Sequence, residues 1–75
     1  MSSGYQIKDI TVKEFVREYA LMISSHDTLK FGLLLAAGDD IWPAAQLALN
    51  SNQDRIAGST NELVRLGFMR RIHDD

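Results

Sequence analysis

Ser24, Ser25, His26 and Asp27 set a nucleophile, a base and a carboxylate side by side. These are the residue types of a hydrolytic triad, but a triad needs side chains converging from separate elements, and four neighbours in a turn do not converge. Asp39 and Asp40 invite a reading as paired acids. Adjacent residues at a helix start do not face one another, so both read as caps. His26 and His73 lie far apart and have no metal-ligand spacing. The chain has no cysteine, which excludes a disulfide framework and thiolate zinc modules. Gly32, Gly38, Gly58 and Gly67 are isolated, so no glycine-rich phosphate loop is present. These patterns predict no enzyme, no metal and no cofactor.

Chemistry of recognition has better material. Gln53, Arg55, Asn61 and Arg65 fall on one predicted helix. Amides pair bidentately with adenine and guanidinium groups with guanine, so this helix is suited to a major groove. Ser51, Asn52 and Ser59 are of the types that hold phosphate beside a helix start. Gly58 lets a backbone or a phosphate come close, or relieves a clash with a neighbouring helix. Trp42 is the one tryptophan. It is a candidate anchor for a protein partner or a residue that closes the core.

Composition bounds these readings. A chain of 75 residues allows one domain. Folding at that size buries only about 60% of the unfolded surface, so the core must be efficient or shared with a partner. Hydrophobic residues make up 45% of the chain and charged residues 24%, which fits a packed globular domain. The formal net charge is −2. The positive residues concentrate late: between residues 50 and 73, Arg55, Arg65, Arg70 and Arg71 face only Asp54 and Glu62. Any polyanion contact is therefore expected in the C-terminal third. The longest apolar run, residues 31–38, is far short of the roughly 20 residues that span a bilayer. Met1-Ser2-Ser3-Gly4 has no signal-peptide pattern, and a cytoplasmic location is expected.

Four helices are predicted to position these groups. Residues 1–9 read as a tail with a hint of strand alternation in Tyr5 and Ile7, and residues 10–75 as one domain. Thr11 and Glu14 make a capping box, with Ile10 and Phe15 as its hydrophobic staple. Val12, Phe15, Val16, Tyr19, Met22 and Ile23 keep helical spacing, which predicts a first helix over 12–24. Asp27 is read as the cap of a second, buried helix over 28–37, ended by Gly38. Pro43 marks the start of a third, short and alanine-rich helix. The fourth runs over 53–66, ends at Gly67, and returns Phe68 onto Leu63 in a Schellman motif. Residues 68–72 follow as a short strand.

Residues 29–72 resemble the helix-turn-helix core of bacterial winged-helix regulators of the MarR and ArsR type. The residues that carry the likeness are Leu33-Leu34-Leu35, Ala44-Ala45-Gln46-Leu47-Ala48, and the turn Asn50-Ser51-Asn52. Above all there is the phrase Leu63-Val64-Arg65-Leu66-Gly67-Phe68-Met69-Arg70-Arg71. The resemblance implies an all-α or mainly α, four-helix winged-helix-like domain with at most a short C-terminal strand. It implies a DNA-binding transcriptional regulator acting on double-stranded DNA, with residues 53–66 as recognition helix. Arg70 and Arg71 stand where the family begins its wing and suit phosphate or minor-groove contact. A homodimer through the N-terminal helix, with Phe15, Tyr19 and Met22 in the interface, is the expected assembly. The alternative is a small protein-interaction module, an adaptor or inhibitor of phage type, docking through Trp42, Phe15 and Tyr19.

Overall fold

The computed structural model describes residues 3–73. In chain order it contains β1 (Ser3–Ile7), α1 (Val12–Tyr19), a 3-10 turn (Ala20–Met22), α2 (His26–Ala36), α3 (Ile41–Leu49), α4 (Gln53–Leu66) and β2 (Met69–His73). The architecture is mainly α, with a two-stranded antiparallel sheet.

Local signals set most boundaries. Thr11 Oγ1 accepts from the Glu14 N–H, and Glu14 Oε1 accepts from the Thr11 N–H, both at 3.1 Å. The capping box therefore satisfies two donors at the start of α1. At the far end of the chain Gly67 takes φ 92°, a left-handed conformation that glycine adopts without a Cβ penalty. Its N–H donates to the Val64 carbonyl and the Phe68 N–H to the Leu63 carbonyl, each at 3.1 Å. These are the two bonds of the Schellman motif, and they end α4 where its sequence pattern ends.

Three expectations are corrected. The first helix does not reach Ser24. Tyr19 leaves helical geometry at φ −123°, ψ −28°, the chain tightens through the 3-10 turn, and Ile23 is extended. Both flanks of this break are tied down: the Tyr19 ring lies edge-on to Phe68 at 5.6 Å, and the Ser24 N–H donates to Glu62 at 3.1 Å. Tertiary anchoring overrides the continuing apolar spacing. The second helix starts two residues early, with Ser25 rather than Asp27 as its cap, accepting from the Thr28 N–H at 3.4 Å. The carboxylate of Asp27 is left for another partner. Finally, the N-terminal tail contains a full strand. β1 pairs with β2 from Ser3↔His73 to Ile7↔Met69. Tyr5, Ile7, Met69 and Arg71 thus share the face that meets the body, and Gln6 and Arg70 share the other.

The core is built around aromatic rings. Phe15, Phe31, Phe68, Leu49 and Leu63 are completely buried, joined by Tyr19, Leu35 and three alanines of α3. Phe15 meets Phe68 edge-on at 4.8 Å and Tyr19 at 5.7 Å. The small side chains of Ala44, Ala45 and Ala48 fill the buried face of α3. Among the described residues, no helix is long and apolar enough to cross a membrane.

Gly32 gives a test of this packing. A Cβ placed there would run into the Phe15 ring, which is rigid and enclosed. In an open helix interior, Gly→Ala gains about 1 kcal/mol. Gly32→Ala should instead lower stability by about 1–3 kcal/mol, the usual cost of overpacking. A denaturant midpoint that rises on this substitution would refute the α1–α2 packing.

Candidate nucleic-acid interface

α3 and α4 are joined by a three-residue turn, in which Asn50 and Ser51 both take left-handed backbone conformations, φ 57° and 53°. The Ser51 N–H donates to the Ala45 carbonyl at 3.1 Å and the Asn52 N–H to the Leu49 carbonyl at 3.0 Å. Asn52 then caps α4, its Oδ1 accepting from the Arg55 N–H at 3.0 Å. The end of α3 and the start of α4 are thereby held at a defined angle. Ser59, Thr60 and Leu63 form the buried face of α4, with Ile56 packed half-buried beside them. Gln53, Asp54, Ala57, Gly58, Asn61 and Arg65 form its solvent face.

The candidate DNA contacts separate into three groups. Gln53, Asn61 and Arg65 stand in solvent as the sequence suggests. Arg55 does not reach outward. Its Nε donates to Asp27 Oδ2 at 2.8 Å and its Nη2 to Oδ1 at 2.7 Å, a two-pronged ion pair between α4 and α2. Ser59 is 3% exposed and packs inside, so the phosphate contact expected of it is not available in this fold. Arg70 and Arg71 are exposed on opposite faces of the sheet. Arg70 donates to Gln6 across the strands, and Arg71 donates to the Asn61 amide oxygen. Arg71 and Asn61 therefore act as one polar group at the seam between β2 and α4.

Of the candidate protein contacts, Trp42 and Met22 are accessible, at 69% and 55% exposure. Phe15 and Tyr19 are core residues and cannot supply the expected interface. Their apolar stripe points inward because Phe68 and Gly32 receive it. The exposed apolar side chains of this region are Val12, Val16, Leu21 and Met22.

Trp42 borders a groove of about 620 Å³. Ile41 and Trp42 of α3, Ile56 and Thr60 of α4, and Tyr5 and Arg71 of the sheet line it, with Gln53 and Asn61 along the same wall. The groove was not legible in the sequence, because it requires β1 to be paired with β2. Alternation of Tyr5 with Ile7 was the one available signal.

Ser24, Ser25 and Asp27 are held by hydrogen bonds within the fold. Ser24 donates from its N–H and its hydroxyl to Glu62 Oε2, at 3.1 and 3.4 Å. The His26 neighbourhood is thus committed to capping and bracing. Asp40 occupies the cap position of α3 without a side-chain hydrogen bond. Among the described residues, no cluster of His, Asp and Glu could hold a metal ion. No protein-family model, curated protein or solved structure matches the chain.

The hydrogen bonds from Arg55 hold the Asp27 carboxyl below its usual range. Burial pushes Glu62 up, but the hydrogen bonds it accepts from the Ser24 N–H and hydroxyl, with the nearby charge of Arg65, pull the other way and the net shift is downward. A carboxylate with a lowered folded-state pKa stabilises fully above its unfolded value of about 4 and loses that contribution as pH falls through the folded value. Asp27→Asn should lower the melting temperature at pH 7, and its deficit relative to wild type should shrink below about pH 4. Melting curves across that range check both signs; an unchanged melting temperature at pH 7 would show the ion pair to be energetically idle.

Proposed function

We propose that this chain is a winged-helix-like DNA-binding domain in transcriptional control, with α3, the 50–52 turn and α4 as its helix-turn-helix. In this reading α4 enters the major groove of double-stranded DNA. Gln53, Asn61 and Arg65 face the base edges, and Arg71 lies beside them at the sheet. The two-stranded sheet takes the place of a wing, although it is assembled from the two ends of the chain rather than from a hairpin.

The observation that carries the reading is Gly58. A Cβ added there meets nothing within 4 Å, so no neighbour among the described residues requires a glycine. Yet glycine in a helix interior costs about 1 kcal/mol relative to alanine. Packing within the chain does not account for that cost, whereas close approach of an external surface does. Gly58 lies mid-way along the solvent face, with Ala57 beside it and Asn61 one turn on. Asp54 is adjacent to the positive end of the helix dipole and helps the helix more than it helps a phosphate contact.

Gly58→Ala is therefore expected to act in opposite directions. Stability should rise by about 1 kcal/mol, while affinity for duplex DNA falls. Asn61→Ala and Arg65→Ala should each weaken binding by about 1–3 kcal/mol without unfolding the domain. The assay is a titration against mixed-sequence duplex at about 50 and 200 mM salt, where phosphate contacts show as a steep loss of affinity. Absence of binding at the lower salt would overturn the proposal.

A second reading has its own support, a partner docked on α1 and the 3-10 turn. Leu21 is 98% exposed, with Met22, Val16 and Val12 exposed in the same segment. A homodimer would place these four, rather than Phe15 and Tyr19, in its interface. Sedimentation should show a dimer for the wild type and a monomer for Leu21→Glu; a wild-type monomer at all concentrations would dismiss self-association.

A further inference from the structure

We infer that the groove beside α4 is a seat for one unpaired nucleotide, with Trp42 as the surface on which its base stacks. The inference rests on the reading of α4 as a nucleic-acid contact. It adds a form of substrate, single-stranded or locally opened DNA, which that reading does not require.

Shape comes first. The groove, of about 620 Å³, has the size of a small-ligand site. A closed duplex offers base edges and phosphates but keeps the flat faces of its bases stacked. A base can enter a concave site only when it leaves the stack. Trp42 and Tyr5 are both exposed and both line the groove. Flat aromatic faces beside solvent are what bases stack on in single-strand binding sites, whatever the base.

The polar groups fit the same occupant. Thr60 is 6% exposed and lines the groove, so the little surface it keeps opens there. Gln53 and Asn61 contribute amides that both donate and accept. Asn61 Oδ1 already accepts from Arg71. An aliphatic side chain from a protein partner would offer nothing to the Asn61 NH2 or the Gln53 amide, whereas the edge of a base satisfies both. Among the described residues, Arg71 is the one charged residue lining the groove. A single cation beside an apolar, hydrogen-bonding floor complements a nucleotide, with one phosphate on an uncharged base.

Trp42 is the sole tryptophan, so selectively excited tryptophan emission reports on this groove alone. The probe is a thymidine oligonucleotide of about ten residues, within the usual range of single-strand site sizes. It should quench the emission saturably. With a fluorescein-labelled oligonucleotide read by anisotropy, Trp42→Ala should lose affinity roughly five- to a hundredfold, the range of one base–aromatic stack. Trp42→Phe should recover most of it. Arg71→Ala should flatten the dependence of log affinity on log salt by about one. Trp42 is exposed, so unchanged melting curves are expected to show that its variants remain folded.

Unquenched emission, or equal affinity of Trp42→Ala and wild type, would overturn the inference. The same titration with mixed-sequence duplex separates it from its premise. If duplex binds through Asn61 and Arg65 while the oligonucleotide does not bind, the groove assignment fails and the DNA reading stands. If neither binds, both fail.

Discussion

Because the Cβ of any residue but glycine at position 32 would occupy the space of the Phe15 ring, α1 and α2 approach as closely as they do only through that pair. The same ring meets Phe68, edge-on at 4.8 Å. Phe68 follows the glycine that ends α4, so fixing its ring also fixes where the chain leaves the helix. Its carbonyl accepts from the Lys8 N–H at 2.8 Å, which continues the β1–β2 ladder beyond Ile7. One aromatic contact thus sets the helix spacing, the end of α4 and the start of the sheet. The groove inherits its geometry from all three.

Lys13 and Arg17 of α1 and Lys30 of α2 stand exposed, but the cations around the candidate interface are mostly paired. Arg55 is held by Asp27, Arg70 by Gln6 and Arg71 by Asn61, while Lys8 lies near Glu18 and donates to the Tyr19 hydroxyl. Arg65 stands on the exposed side of α4 as the main basic group of the solvent face. Such a surface gives little long-range attraction to a polyanion. In the proposed reading, recognition of DNA has to come from close fit and directed hydrogen bonds, which suits the stretch of Ala57 and Gly58 between amide side chains. Asp27 contributes indirectly, by keeping the first turn of α4 against α2.

What was legible in the sequence is what depends on neighbours a few residues apart. The Thr11–Glu14 box, the bounds of α4 and the Gly67–Phe68 motif are all set by contacts within six residues. The positions misread are those where a distant group intervenes. Asp27 has the chemistry of a helix cap, but Arg55 claims its carboxylate and leaves capping to Ser25. Phe15 and Tyr19 have the spacing of an interface stripe, and only the arrival of Phe68 decides that they face inward. Ser59 has the type of a phosphate ligand on a helix whose register places it inside. Tyr5 belongs to a groove that exists only when the two ends of the chain meet.

That meeting has a consequence for how the protein is made. β1 is synthesised early, and its partner, paired through Ile7 and Met69, is among the last described segments to appear. Contacts so distant in sequence form slowly, since the intervening chain must be ordered or closed first. On the ribosome α1, α2 and α3 can dock while β1 waits with an open edge, and the groove beside α4 cannot yet exist. A chain interrupted before β2 would keep much of its helical content, yet it would lack the wall that Arg71 and Ile72 provide. The groove beside α4 is therefore completed only once β2 has emerged and paired with β1.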